Sequence, residues 1–307
     1  MVSTGRPARL LAAEELARWE EDGYLVLKGV LDRAEVRDLR GRVERAATDY
    51  RDGPRVGRAH EGATGNREDL RVKNVVSLSD CLDELLDLDP VYRRAVALAG
   101  PYLQVCGTEI ILRHPRPTPA LAMHLDGGAA LSRMMTVPGA PVSHVKALYF
   151  LTATPGPGTG NMTVVPGSHR IPLPRTGEGF STHPARARER ELVVDAGDVV
   201  LFPWNLWHSV GPNNTTTTRV SAVVWYSQLW ARPVDYAQIE AHVLDRMTPR
   251  RRLLLGGIAD AIPSTYYLPA ADDYLPTMLA GLPLDAPELA PYVDDRDSHD
   301  WRDGAPA

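Results

Sequence analysis

A few side chains are set apart by type and spacing. His124 and Asp126 lie two apart in Met123-His-Leu-Asp126. On a β-strand, residues i and i+2 share a face, so an imidazole and a carboxylate converge on one point, an arrangement that suits a borderline metal ion. On its own the His-x-Asp pair recurs by chance. A second segment adds to it: His208 closes the apolar run that begins near Val199, and Arg219 follows 11 residues later. If one strand ends near His208 and the next begins near Thr217, Arg219 returns to the same cavity. A buried guanidinium keeps its charge and needs an anion, which its fork grips bidentately. Two histidines and one carboxylate leave three positions open on a metal, the pattern of non-haem iron(II) oxygenases rather than of structural zinc. The arginine would then hold the far carboxylate of a dicarboxylate co-substrate.

The remaining chemistry-bearing residues carry blander readings. Of nine histidines, most are expected at the surface or satisfied in the core. His144 either lines a substrate pocket or is a solvated strand end. His169, in Pro166-Gly-Ser-His169, is expected to brace a loop rather than bind metal. Trp204 and Trp207 flank His208 as core packing or as pocket walls. The two cysteines, Cys81 and Cys106, sit among apolar residues and are too few for a disulfide framework.

The elements that must position these residues are legible in outline. Leu11 to Glu21 reads as a helix broken by Asp22-Gly23, and Tyr24 to Leu27 as a strand. Asp32 and Glu35 form a capping box ahead of Val36, Leu39, Val43, Ala46 and Tyr50 at helical spacing. Arg51 to Asn66 is Gly- and Arg-rich and is expected to be a mobile lid. Lys73 to Ser77 is strand-like, and Asp89-Pro90 opens a helix that ends at Gly100-Pro101. From Val105 onward short β-rich runs alternate with turns: Thr108 to Arg113, Val145 to Leu151, Met162 to Val165, Glu191 to Val194, Val199 to Phe202 and Arg219 to Tyr226. Such a series predicts a sandwich or barrel. A helix is expected over Val234 to Met247. The chain thus divides into helical support (about 10–100), a β core (about 101–230), a helical extension (about 231–285) and a loose tail (about 286–307), in a single domain.

Composition sets the remaining bounds. The chain has 307 residues, 44% hydrophobic and 24% charged, with a net charge of -5 and no basic stripe. That composition predicts a globular core and argues against nucleic acid or an anionic membrane as partner. No apolar run approaches the roughly 20 residues of a spanning helix, and no signal region is seen at the N-terminus. A cytoplasmic location, a small-molecule substrate and either a monomer or a homodimer are the corresponding expectations.

Taken together, the chain resembles the phytanoyl-CoA dioxygenase-like branch of the iron(II)/2-oxoglutarate oxygenases. The resemblance rests on Asp22-Gly-Tyr-Leu-Val-Leu27, His124-Leu-Asp126, Gly160-Asn-Met-Thr-Val-Val-Pro-Gly-Ser-His-Arg170, Gly197-Asp198, Trp207-His208 and Arg219-Val-Ser221. It implies a mainly β fold, a double-stranded β-helix (jelly roll, cupin-like barrel) with flanking helices. It implies iron(II) at His124, Asp126 and His208, and 2-oxoglutarate at Arg219, with Ser221 as a second donor. Lys73 and Gln104 are further co-substrate candidates on the same ground. The sequence departs from the family where Gly127-Gly128 follows Asp126, in place of an aromatic, and from Trp230 onward.

The chemistry so implied uses O2 and 2-oxoglutarate, releases succinate and CO2, and oxidises a substrate C–H, with hydroxylation favoured. Asp126 fills the position that a halide would need, so halogenation is disfavoured. Desaturation, epimerisation and cyclisation share the oxidant and stay open. A non-oxidative cupin-like isomerase or metal-dependent binding protein would keep the three ligands without needing Arg219. The Arg- and Ala-rich composition resembles that of high-GC bacteria and points to tailoring of a secondary metabolite, antibiotic biosynthesis included.

Overall fold

The computed structural model describes residues 8–52, 59–61, 69–119, 121–126, 137–171, 188–258 and 274–293. Most of the expected lid, together with Gly127-Gly128 and the chain beyond Val293, lies outside the described residues.

Two antiparallel sheets face each other. The larger has seven strands in the order β1 (Leu25–Leu27), β9 (Val199–Pro203), β6 (His144–Phe150), β11 (Arg219–Gln228), β4 (Leu103–Arg113), β3 (Leu70–Lys73) and β2 (Ala59–Glu61). The smaller has four, in the order β5 (Leu121–His124), β10 (His208–Val210), β7 (Met162–Val164) and β8 (Arg190–Glu191). This is the expected jelly roll. Among the described residues the two sheets do not close into one hydrogen-bonded ring.

The period-two alternation of a strand explains how the large sheet serves two purposes. Its outer face presents Ile110, Leu112, Val145, Ala147, Tyr149, Val220, Ala222 and Val224 to a large apolar cluster shared with the helices. Its inner face presents Leu148, Phe150, Val200, Phe202 and Val223 to Met162, Val164, Leu192 and Val194, from the small sheet and its flanks. Between the sheets this inner cluster shares the space with charged residues, and there the site lies.

Helices α1 (Ala13–Asp22), α2 (Arg33–Asp52) and α4 (Asp89–Ala99) join the outer cluster through Trp19, Val43 and Tyr92. The α2 capping box forms as expected: Asp32 Oδ1 accepts from the Glu35 backbone N–H at 2.9 Å, and Glu35 Oε2 accepts from the Asp32 N–H at 2.6 Å. Gly23 ends α1 at φ 82°, and a Cβ there would lie 2.2 Å from His169 Nδ1. His169 is therefore packed against this helix end, far from any metal-binding role.

Two expected elements differ. The strand read over Lys73 to Ser77 ends at Lys73. Asn74 adopts φ 54°, and a helical turn, α3, covers Val75–Leu78. The helix read over Val234 to Met247 is confined to Ala241–Asp245. The preceding residues form a strap instead, because Asp235 Oδ2 accepts the backbone N–H groups of Asn74 and Thr108, both at 2.9 Å, and the Tyr236 hydroxyl donates to the Val105 carbonyl. A periodicity argument cannot see such a side-chain-to-backbone commitment. The packed extension continues to Val293, with Ala286 and Leu289 buried. Among the described residues no helix is long and apolar enough to cross a membrane.

Candidate metal centre and co-substrate cavity

β5 and β10 are neighbours in the small sheet, and their register places His124 directly opposite His208. The two imidazole centroids are 4.3 Å apart. Asp126 follows β5 at a turn, anchored by its backbone N–H donating to the Trp204 carbonyl at 3.0 Å. One ligand atom from each of the three residues lies within 4.8 Å of the others. Asp126 Oδ1 is 3.8 Å from His124 Nε2, and Oδ2 is 3.7 Å from His208 Nε2.

Both imidazoles are oriented in the same way. His124 Nδ1 contacts the Ala122 carbonyl at 2.9 Å, and His208 Nδ1 contacts the Leu206 carbonyl at 2.9 Å. A carbonyl only accepts, so each Nδ1 carries the proton and each Nε2 turns a lone pair inward, as metal-ligating histidines do. The electrostatics agree. Burial pushes the His208 imidazole down to about 3, against the pull of Asp126. Burial likewise lowers His124. For Asp126, burial opposes ionisation, but Lys146, His208 and His124 outweigh it and hold the carboxyl well below the usual range. At neutral pH the cluster is two neutral imidazoles and one carboxylate. That donor set fits a divalent first-row metal.

The adjoining cavity runs along the inner face of the large sheet. Among its lining residues are Arg71, Glu109, Arg113, Lys146, Phe202 and Arg219, together with all three members of the triad. Arg219 begins β11 and pairs in register with Arg113 on β4. It is 3% exposed, and its guanidinium stacks 4.9 Å above the Phe150 ring. Its Nε is buried and lacks a hydrogen-bond partner among the described residues. Burial, reinforced by the Arg113 charge and only partly opposed by Asp69, pushes this guanidinium down to about 9. A guanidinium does not shed its charge at working pH, so the shift expresses how unfavourable its present isolation is. Arg113 is better served: Asp69 Oδ2 lies 3.1 Å from its Nη1.

The other candidates fall in different places. Ser221 lies two residues from Arg219 on β11; it is fully buried, and its Oγ lacks a partner among the described residues. Lys73 is opposite Glu109 in the β3–β4 register and half-buried, outside the residues that line the cavity. Gln104 sits toward the other end of β4, where its amide donates to the carbonyls of Gln228 at 3.2 Å, Leu229 at 3.3 Å and Ala231. Those bonds occupy it away from the cavity. His144 is buried, with its ring centroid 6.2 Å from that of Trp225; burial, partly opposed by Asp126, pushes it down to about 4. It does not line the cavity. Trp204 reaches the site through its backbone carbonyl, and Trp207 packs with Leu125 and Val165 in a separate small cluster.

Four charged lining residues escaped the reading of the sequence: Arg71, Glu109, Arg113 and Lys146. The signal was present in β4, where Glu109, Ile111 and Arg113 alternate with Ile110 and Leu112. In β6 Lys146 stands alone within an apolar run and gives no comparable pattern.

With that geometry described, comparison with known proteins is informative. The family model for phytanoyl-CoA dioxygenase (PhyH) matches residues 19–221, about two thirds of the chain. The chain belongs to the phytanoyl-CoA dioxygenase family. Among curated relatives, the dioxygenase cdmA of Talaromyces verruculosus is 24% identical over 258 residues, covering 77% of this chain and 80% of that protein. Among solved structures, the non-haem α-ketoglutarate-dependent epimerase SnoN from nogalamycin biosynthesis superposes with a TM-score of 0.55 at 27% identity, covering 70% of this chain and 82% of SnoN. HygX of Streptomyces hygroscopicus, solved with nickel, 2-oxoglutarate and hygromycin B, gives a TM-score of 0.57 at 21% identity, covering 73% of this chain and 90% of HygX. The PhyH match runs from α1 to Ser221 and so takes in all three candidate ligands and Arg219.

Proposed function

We propose that this member of the family is an iron(II)- and 2-oxoglutarate-dependent oxygenase that hydroxylates a C–H bond of a small molecule in a secondary-metabolite tailoring step. One observation carries the reading beyond membership: Arg219, a buried guanidinium with no ion pair to a carboxylate among the described residues, opens on the cavity that holds the His124–Asp126–His208 cluster. A metal-binding isomerase or binding protein has no need of that uncompensated cation; an enzyme that takes a dicarboxylate does.

His124, Asp126 and His208 would hold the iron, which supplies activation of O2 coupled to decarboxylation of 2-oxoglutarate. The chain's own part is positional. Nδ1 bonds to Ala122 and Leu206 keep both imidazoles facing inward. Arg219 grips the far carboxylate of the co-substrate, and the buried Ser221 hydroxyl is a second donor on the same strand face. Ile111, Leu148, Met162 and Val223 wall the space between the two ends and exclude water there. Succinate, the shorter dicarboxylate, leaves from the same grip. The SnoN relationship keeps epimerisation as the second reading for the outcome on the substrate, because SnoN is an epimerase from nogalamycin biosynthesis.

The test is uncoupled turnover. The iron-loaded protein should form succinate from 2-oxoglutarate. Arg219→Leu should raise the 2-oxoglutarate concentration needed by roughly tenfold to a hundredfold, since a hydrogen-bonded charged contact contributes about 1.5–3 kcal/mol. Succinate formation at low 2-oxoglutarate that is unchanged in Arg219→Leu defeats the assignment.

A further inference from the structure

Lys146 projects from β6 of the large sheet across the cavity to the triad on the opposite side. Its Nζ is 2.7 Å from Asp126 Oδ2. The side chain is buried, at 5% exposure. Its register neighbours on either side are Trp225 of β11 and Phe202 of β9, and the ammonium lies 4.0 Å and 5.8 Å from the centroids of those rings. Two aromatic faces therefore hold the stem and head in place. The other carboxylate in the cavity, Glu109, is already held by both ends of the Arg71 fork, at 2.8 Å and 2.7 Å. The Lys146 charge also acts on Glu109, but its ion pair is with Asp126.

We infer that Lys146 is a positioning residue for Asp126: it holds one carboxylate oxygen and leaves the other to face the metal. This rests on the metal assignment of His124, Asp126 and His208. A carboxylate can bind a divalent ion through one oxygen or two. A metal held there would have to accept two imidazoles, a carboxylate and a co-substrate bound through two atoms, and still admit one further small ligand. A second oxygen from Asp126 would take one of those positions. An ammonium fixed on that oxygen prevents this, and its charge simultaneously weakens the cluster's hold on a cation. Lys146 thus trades metal affinity for open coordination.

The two effects have opposite signs, which gives the test its power. Calorimetric titration of the full chain with Mn2+, and then of the Mn2+-loaded protein with 2-oxoglutarate, reads both without turnover. In Lys146→Met, Mn2+ should bind tighter, on the order of tenfold, because a neighbouring like charge is gone. In the same variant, 2-oxoglutarate should bind weaker, again on the order of tenfold. Lys146→Arg, which keeps charge and donor, should restore both values to near wild type. A merely damaged site loses both affinities together, and that result, or no change in either, overturns the inference. So does a Lys146→Met protein whose only change is a raised KM for the oxidised substrate, which makes Lys146 a substrate contact. If wild type and His208→Ala bind Mn2+ equally, it is the metal assignment itself that has failed. A crystal structure of the wild-type protein with Mn2+ and 2-oxoglutarate gives a reading independent of any variant's folding. Lys146 Nζ should remain in its ion pair with one Asp126 oxygen with the other on the metal; both oxygens on the metal, or an ammonium turned away, overturns the inference.

Discussion

Arg71 and Arg219 line the same cavity from the same sheet, yet their surroundings differ. The Arg71 fork meets Glu109 through two hydrogen bonds, at 2.8 Å and 2.7 Å, and Glu109 is 2% exposed. Arg219 is as deeply buried as Glu109 and lies against Arg113 and an aromatic ring; among the described residues it makes no ion pair with a carboxylate, and Asp69 acts on it only through its charge. Their protonation follows suit. For Arg71, Glu109 outweighs burial and raises the guanidinium; for Arg219, burial and Arg113 lower it. The contrast separates two reasons for burying an arginine. One completes the fold. The other, on the proposed function, is kept at the fold's expense for an anion that arrives later.

The largest expected effect breaks the pair apart through stability. Arg71→Met leaves Glu109 buried without its main partner and should destabilise the ligand-free protein by on the order of 3 kcal/mol. Arg219→Met removes a lone buried charge and should be neutral or stabilising. Chemical denaturation of the three proteins without ligands measures this. Equal losses in both variants would show that Arg219 is as structural as Arg71.

The next prediction runs the comparison with ligand present. A ligand at a hundred times its dissociation constant stabilises the folded state by about 2.7 kcal/mol. With Mn2+ supplied, 2-oxoglutarate should raise the unfolding midpoint of wild type and of Arg71→Met by similar amounts. Arg219→Met should show little of that rise at the same concentration. A full rise in Arg219→Met would place the co-substrate's far carboxylate elsewhere, with Arg113 the nearest alternative.

The same contrast marks what the sequence disclosed. His124 and Asp126 were legible as neighbours because of their two-residue spacing, although β5 ends at His124 and Asp126 comes in from the turn that follows rather than from a shared strand face; Arg219 was legible because it opens a strand soon after His208. Strands whose outer face is apolar were found to within a few residues, since that alternation is imposed by the helices they cover. Arg71 and Lys146 were not legible. Each is a charge whose partner is far away in sequence, Glu109 on another strand and Asp126 beyond the end of β5. Spacing within a segment carries no trace of such a pairing. The strap before Ala241 was misread for a like reason: Asp235 is committed to backbone groups of Asn74 and Thr108, and that commitment overrides a helical pattern. Gln104 shows the converse, since its amide has the right chemistry for a co-substrate but is occupied by three carbonyls.

The smallest expected effect tests whether the position of Arg219, beyond its charge, matters. Gly160 adopts φ +81°, and a Cβ there would lie 3.3 Å from Arg219 Cδ and 3.5 Å from Asn213 Cβ. The left-handed backbone alone disfavours Ala by about 1 kcal/mol. The contact with Cδ is shorter than the roughly 3.5–4.0 Å optimum for carbon atoms, so the arginine stem must move by a few tenths of an ångström. Catalytic geometry is steep, with a shift of about 1 Å able to cost a hundredfold. A shift of this smaller size should weaken 2-oxoglutarate binding by roughly threefold. The triad lies on other strands, so Mn2+ affinity in Gly160→Ala should equal that of wild type. Among the described residues no glycine plays the same part for Arg71, whose fork is fixed by Glu109. Calorimetry on Gly160→Ala, beside denaturation of the same protein, separates strain from misplacement. A stability loss with unchanged 2-oxoglutarate affinity means that the cavity tolerates a displaced Arg219, and that charge alone, not placement by Gly160, distinguishes it from Arg71.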